Sequence, residues 1–248
     1  MYNFFVEENK RNGDTYVIDG GDFNHIANVL RMKVGDEILV SFGGESNLCI
    51  ITEFFSDYLI AKIIQERFID TELPIKLQLF QGLPKADKME LIIQKAVELG
   101  VDIIIPVETS RSIVKIEEKK KQSKRERWQA ISESSAKQCK RNVIPTVECP
   151  LTFKQALSVM KDLDILLIPY ENKNGMQDTV DALKCIQKSN TVGVFIGPEG
   201  GIDSAEIESL LAVSNAKVIS LGKRILRTET AAITALSMVM LHTEMNIE

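Results

Sequence analysis

The chain has 248 residues, of which 44% are hydrophobic and 26% are charged, and its formal net charge is −5. This composition excludes a disordered or fibrous protein, and the length allows one large domain or two modest ones. No apolar run approaches the roughly 18 residues of a membrane-spanning helix, and the N-terminus lacks the pattern of a signal peptide, so we expect a cytoplasmic protein that makes no membrane contact.

The first 72 residues show the alternation and turn residues of short β-strands. The segments DEILVSFG, NLCIITEF and DYLIAKII, which begin at Asp36, Asn47 and Asp57, are predicted strands. One short helix is expected at about Asp22 to Leu30. Short antiparallel strands with close turns favour a small barrel, because closure removes the exposed edges of the sheet. We place a linker that ends at Pro74 and a first domain at 1–72.

Residues 73–248 alternate between strands and helices. Apolar strands are predicted in IKLQLFQ, DIIIPV, LDILLIP, TVGVFIG and AKVISLG. Continuous apolar strands separated by helices indicate a parallel sheet that is covered on both faces. The predicted helices are a segment within 85–100 that stops at Gly100, Trp128 to Lys140, Phe153 to Lys161, Ser204 to Val213 and Glu229 to His242. The last is apolar almost all round, so we expect it to be buried inside the fold or against another subunit.

A glycine-rich turn joins one of these strands to a helix. The sequence GPEGG at 197–201 follows TVGVFI and precedes a helix that Asp203 or Ser204 begins as N-cap. Because Gly197, Gly200 and Gly201 have no Cβ, a ligand can approach the backbone closely there. From the residues alone, the turn is a phosphate cradle, an adenosine cradle or a tight connection.

A second polar turn, LGKRILRTETA, begins at Leu221 and places two arginines, Arg224 and Arg227, beside Thr228 and Glu229. A turn that only connects two elements does not need them. A nicotinamide oxidoreductase would require GxGxxG after the first strand of a βαβ unit, and the first strand here leads into GLPKADK instead.

The charges are unevenly distributed. Residues 111–141 hold 11 Lys or Arg against 4 Asp or Glu, whereas residues 1–72 hold 6 against 13. A local positive charge of this size is either a solvated helix face or a surface for phosphate groups. Four scattered cysteines and two histidines give no ligand spacing for zinc, so we expect no metal.

Five motifs in this order resemble the ribosomal RNA small subunit methyltransferase E family of the knotted SPOUT class. They are HIANVLRMKVGDEI, KADKMELIIQKAVELGVDIIIPV, RWQAISESSAKQCKRNVIP, GPEGG and LGKRILRTETA. The resemblance covers the whole chain. It implies an α/β fold with a SPOUT-type parallel sheet and a C-terminal trefoil knot at 73–248, a PUA-like RNA-binding β-barrel at 1–72, and a homodimer.

The resemblance also implies the activity: S-adenosylmethionine (SAM)-dependent methylation of N3 of a uridine in 16S ribosomal RNA, with the RNA or the small ribosomal subunit as partner. It carries over cofactor-binding roles to Ile168, Pro169, Gly197, Glu199, Gly200, Leu221, Gly222, Ile225, Leu226 and Arg227.

The chemistry then suggests further roles. Negative charge develops on the uracil oxygens as N3 loses its proton, and guanidinium or amide groups stabilise it. Arg227 and Arg141 are the catalytic candidates, and the base is Glu229, Glu199 or solvent. The resemblance also implies that the region of His25 and Arg31 touches RNA, and Arg111, Gln138 and Arg141 are expected to contact RNA as well. Two alternatives remain open: a knotted methyltransferase that acts on another position, such as a ribose 2′-hydroxyl, and a non-catalytic ribosome-assembly factor.

Overall fold

The computed structural model describes residues 1–170 and 175–246. The chain forms two compact units. The first consists of Met1–Glu72 with Ser134–Ile144, and the second of Leu73–Glu133 with Pro145–Glu248. Residues 134–144, which the sequence analysis places in the C-terminal domain, therefore pack with the first unit.

The first unit is a six-stranded sheet around an apolar core. Its strands pair in the order β1-β4-β5-β6-β3-β2, antiparallel except for the parallel pair β1–β4. Buried residues such as Tyr16, Ile38 and Leu59 fill its core. The elements are β1 (Asn3–Phe5), a 3-10 turn (Glu8–Lys10), β2 (Arg11–Asn12), β3 (Thr15–Asp19), α1 (Gly20–Asn24), a π-helical turn (His25–Val29), β4 (Glu37–Phe42), β5 (Glu45–Phe54) and β6 (Tyr58–Ile69).

The second unit contains a seven-stranded parallel sheet in the order β10-β8-β7-β12-β11-β13, with β9 beside β8. Its elements are β7 (Lys76–Gly82), α2 (Lys88–Glu98), β8 (Ile103–Glu108), α3 (Glu118–Cys139), β9 (Thr146–Val147), β10 (Leu151–Thr152), α4 (Phe153–Met160), β11 (Ile165–Pro169), α5 (Gln177–Lys184), β12 (Thr191–Ile196), α6 (Ser204–Leu211), β13 (Ala216–Ile219) and α7 (Thr228–Asn246). The last residues of α3 belong to the first unit.

Local sequence signals explain where several elements begin and end. Gly100 follows α2 with φ +88°, and a Cβ there would lie 2.6 Å from the Leu73 side chain, so only glycine fits. Asp203 begins α6 with a capping box to Glu206. This settles the N-cap in favour of Asp203.

The five apolar strands expected after residue 72 are confirmed. The predicted start of α3 at Trp128 is wrong, because the helix begins at Glu118 in a charged segment that has no apolar periodicity. The strands β9 and β10 and the helix α5 were not predicted. Within residues 1–170 and 175–246, no helix is long and apolar enough to cross a membrane, and no cluster of residues has the composition of a metal site.

Candidate functional site

A cavity of about 630 Å³ lies in the second unit, where β7, β11, β12 and β13 end. Ligands of open α/β sheets bind at the carboxyl ends of the strands, and this volume falls in the range of small-molecule sites. Three stretches and one lysine line it: Pro169 and Tyr170, residues 196–202, residues 221–228 with Ala231, and Lys88. The two polar turns of the sequence therefore meet in one pocket.

A chain of hydrogen bonds joins these two turns. Gln81 Nε2, at the end of β7, donates to Thr228 Oγ1 at 2.9 Å, and Thr228 Oγ1 donates to the carbonyl oxygen of Gly197 at 2.7 Å. Gln81 and Gly197 lie close together because Ile196 of β12 pairs with Gln81 of β7. The start of α7 is thereby fixed to the GPEGG turn.

Glycines form part of the cavity wall in both turns. A Cβ on Gly197 would lie 2.9 Å from Ile202 Cγ1, so a larger residue displaces the turn. Gly222 has φ +104° and open space around the position of a Cβ, in a conformation that favours glycine. A ligand can therefore reach the backbone of both turns.

Arg111 packs against the outside of the GPEGG turn. Its Nη1 donates to the carbonyl oxygen of Gly200 at 3.4 Å, and its Nε lies 3.6 Å from Asp203 Oδ2. A Cβ on Gly200 would lie 3.0 Å from the Arg111 carbonyl oxygen. Arg111 thus supports this turn, and its expected contact with RNA stays a prediction.

Lys88 brings two carboxylates together beside the cavity. Its Nζ lies 3.0 Å from Glu199 Oε1 and 3.2 Å from Glu229 Oε2. Hydrogen bonds to Glu199 and Glu229 raise the pKa of Lys88. Burial opposes ionisation of Glu199, but hydrogen bonds from backbone N–H groups and from Lys88 outweigh it, so the pKa of Glu199 is lowered. A carboxylate with a lowered pKa is a weak base.

All but one of the residues predicted to bind the cofactor line the cavity. The exception is Ile168, which is fully buried within β11, one residue before the lining begins at Pro169. The loop after Tyr170 continues into residues 171–174, which lie outside the described residues. Among the catalytic candidates, Arg227 lines the cavity and Glu229 reaches it through its ion pair with Lys88.

The remaining candidates for RNA contact belong to the first unit. His25, Arg31 and Gln138 are exposed. Arg141 is 3% exposed, and its Nε and Nη2 donate to the carboxylate of Glu72 at 2.6 to 3.0 Å. The ion pair with Glu72 gives Arg141 a structural role in the first unit. Its catalytic and RNA-binding roles stay predictions.

Ion pairs reduce the positive charge counted along residues 111–141. Several of the cations there bind carboxylates that lie elsewhere in the sequence, so the surface is less basic than the count suggests. These pairs are Arg111–Asp203, Lys121–Glu108, Arg127–Glu90, Lys137–Asp22 and Arg141–Glu72.

Sequence reasoning missed several residues of the site, among them Gln81, Lys88 and Tyr170. Lys88 stands in GLPKADK, at the start of the helix-forming motif KADKMELIIQKAVELG, but no role in the site was predicted for it. Its position just after the first strand of a parallel sheet was the available signal, since such connections border the ligand.

The chain matches two known protein families. The RNA methyltransferase domain family matches residues 71–240, and the RNA methyltransferase PUA domain family matches residues 18–64. Ribosomal RNA small subunit methyltransferase E of Bacillus subtilis (strain 168) is 38% identical over 99% of this chain and 98% of its own length. Its counterpart in Mesomycoplasma hyopneumoniae (strain 232) is 33% identical over 96% of this chain and 98% of its own length.

A crystal structure of the methyltransferase E from Neisseria gonorrhoeae, bound to SAM, has a TM-score of 0.81, is 29% identical and covers 97% of each chain. A parallel sheet with a glycine-lined cavity at its carboxyl ends, together with these matches, defines an RNA methyltransferase with a PUA domain. The chain belongs to the ribosomal RNA small subunit methyltransferase E family.

Proposed function

We propose that the chain transfers a methyl group from SAM to N3 of a uridine in 16S ribosomal RNA of the small subunit. This proposal rests on the observation that the GPEGG turn and the 221–228 turn line the same cavity. A relative that is bound to SAM in its crystal structure aligns with nearly the whole chain. The matching curated relatives are named for small-subunit ribosomal RNA.

The cavity fits the cofactor in size and in the character of its wall. Gly197 and Gly222 would leave room for adenosine against the backbone, and Leu221, Ile225 and Leu226 supply apolar surface. SAM, when bound, supplies an electrophilic methyl group. The task of the protein is then to align the acceptor nitrogen and exclude water.

Arg227 is the proposed group that stabilises negative charge on the uracil as N3 loses its proton. It lines the cavity with Lys223 and Arg224, and all three are exposed to an approaching RNA. Their guanidinium and ammonium groups are donors for oxygens that become negative in the transition state. Glu229, which pairs with Lys88 beside the cavity, is the proposed proton acceptor, because the lowered pKa of Glu199 makes Glu199 a weak base.

The first unit is proposed to bind RNA through local contacts by His25, Arg31 and Gln138. Lys137 Nζ lies 2.8 Å from Asp22 Oδ1, so the segments that carry His25 and Gln138 pack together in this unit. Phosphate attraction would come from exposed basic residues of the 111–141 segment, such as Lys115 and Lys124. Since ribosomal RNA is the substrate, we place the protein in the cytoplasm.

A trefoil knot in the second unit is part of the proposal. The strand β12 lies between β7 and β11, and the chain then passes from β13 into α7, which packs against α2 and β12. This return of the C-terminal helix to earlier elements of the sheet is compatible with a knotted path. The usual rule against threading would favour an unknotted sheet, and the family resemblance supports the exception.

A homodimer is proposed from exposed apolar side chains of the second unit. Leu241 of α7 is 50% exposed and Ile225 at the cavity is 86% exposed. Exposed apolar side chains of this kind can be covered by a second copy of the chain, which the family resemblance implies. A partner that covers Ile225 would also exclude water from the cavity.

Product analysis tests the proposed reaction. The protein is incubated with methyl-labelled SAM and either assembled small subunits or free 16S RNA, and the RNA is digested to nucleosides. Labelled 3-methyluridine is the expected product. A label on a ribose 2′-hydroxyl would show that the proposed acceptor is wrong and would leave the assignment of SAM as cofactor unchanged. Binding of SAM without any transfer to either substrate would favour the assembly-factor alternative.

A further inference from the structure

Lys88 connects three elements at the edge of the cavity. It is the first residue of α2, and its side chain, 29% exposed, pairs with Glu199 of the GPEGG turn and Glu229 of α7. Lys88 also lines the cavity itself. No other lining residue has ion pairs to both of these elements among the described residues.

Glu199 is held from a second direction as well. The backbone N–H of Lys85 donates to Glu199 Oε1 at 3.1 Å, so the carboxylate bridges the start of α2 and the GPEGG turn. The side chain of Glu199 is therefore turned toward α2 by two donors. An ammonium group between two carboxylates also prevents the repulsion that two neighbouring negative charges would cause.

We propose that Lys88 is a positioning residue of the methyl-donor site, which holds the GPEGG turn against α7 through Glu199 and Glu229. This inference rests on the proposed function. Without Lys88, the two carboxylates repel each other and the turn moves away from α7.

Calorimetric titration with SAM at neutral pH tests the role of Lys88. Lys88→Met is expected to weaken SAM binding about tenfold, and Lys88→Arg, which keeps both ion pairs, to stay within about threefold of the wild type. Lys85→Met is the matched control. It removes an equal charge three residues away, but Lys85 contacts Glu199 only through its backbone, so SAM affinity should not change.

The pH dependence separates positioning from general loosening of the fold. The pKa of Glu199 is lowered in the folded protein, so its ionised form persists until the pH falls through that lowered value. Lys88→Met removes one cause of the lowering. SAM affinity falls on acidification, and we call this part of the pH profile the acid limb. In Lys88→Met it should begin at a higher pH than in the wild type, whereas Lys85→Met should leave it unchanged.

A double variant tests whether Lys88 acts through Glu199. Glu199→Gln should weaken SAM binding by itself. The double variant Lys88→Met with Glu199→Gln should lose less SAM binding free energy than the sum of the losses in the two single variants. If Lys88→Met fails to fold, Glu199→Gln and Lys88→Arg decide the question. Affinity and acid limb unchanged in Glu199→Gln would then overturn the proposal.

Equal affinities and equal acid limbs for the wild type and folded Lys88→Met also overturn it. A wild type that does not bind SAM at all would instead overturn the proposed function, so the two failures are distinguishable.

Discussion

The hydroxyl group of Thr228 donates a 2.7 Å hydrogen bond to the carbonyl oxygen of Gly197. These residues are 31 positions apart, and each belongs to one of the two turns that form the cavity. Thr228 also accepts a hydrogen bond from Gln81, so its hydroxyl connects β7, β12 and α7. The buried side chain of Thr228 therefore joins the two turns that line the cavity.

Thr228→Val should therefore lower both stability and SAM affinity. Valine keeps the shape of threonine but leaves the carbonyl oxygen of Gly197 and the amide of Gln81 without this partner, which costs about 1–3 kcal/mol. Urea denaturation measures the stability, and titration calorimetry measures the affinity. Thr228→Ser keeps the hydroxyl and is the control. Equal stability of the valine variant and the wild type would show that the hydrogen bonds contribute nothing net.

Gly197→Val should abolish detectable SAM binding while the protein stays folded. The added Cβ would lie 2.9 Å from Ile202 Cγ1, and the branched side chain would fill space at the cavity wall. We expect a loss of affinity on the order of 100-fold or more. Gly21→Val is a suitable control, because a Cβ on Gly21 has nothing within 4 Å. Unchanged affinity in Gly197→Val would place the cofactor elsewhere.

The two turns were predictable from the sequence because their glycines and arginines are concentrated in short segments. The strands of the parallel sheet were predictable as well, since each is a continuous apolar run. The start of α3 was not, because residues 118–127 are almost all charged and have no apolar face to reveal a helix. Strands as short as Thr146–Val147 also leave no pattern.

The contacts between side chains lie beyond sequence periodicity. Lys88, Glu199 and Glu229 come together only because β7 and β12 are neighbours and α7 returns to α2. The basic segment 111–141 illustrates the same limit: its charge was counted correctly, but five of its cations pair with acids from distant parts of the chain. The sequence therefore predicts where the polar residues are but not how they are paired.

Arg141→Ala should destabilise the first unit. Removing one partner of a buried, bidentate ion pair leaves Glu72 with an uncompensated charge, which typically costs about 3–5 kcal/mol. Chemical denaturation of the full chain should show this loss, and Arg141→Lys should restore only part of it because an ammonium group cannot form the paired contacts. Wild-type stability combined with lost turnover on RNA would instead identify Arg141 as a substrate-binding residue.

Leu241→Arg should dissociate the proposed homodimer. A charge placed in an apolar interface has to be desolvated without a partner, so the dissociation constant should rise about 100-fold or more. Sedimentation equilibrium at several protein concentrations measures it. Leu211→Arg changes an equally exposed leucine, 51% against 50%, near the end of α6 and should leave the dimer intact. A wild type that sediments as a monomer would remove the dimer from the proposal, while the cavity, which lies within one chain, would remain.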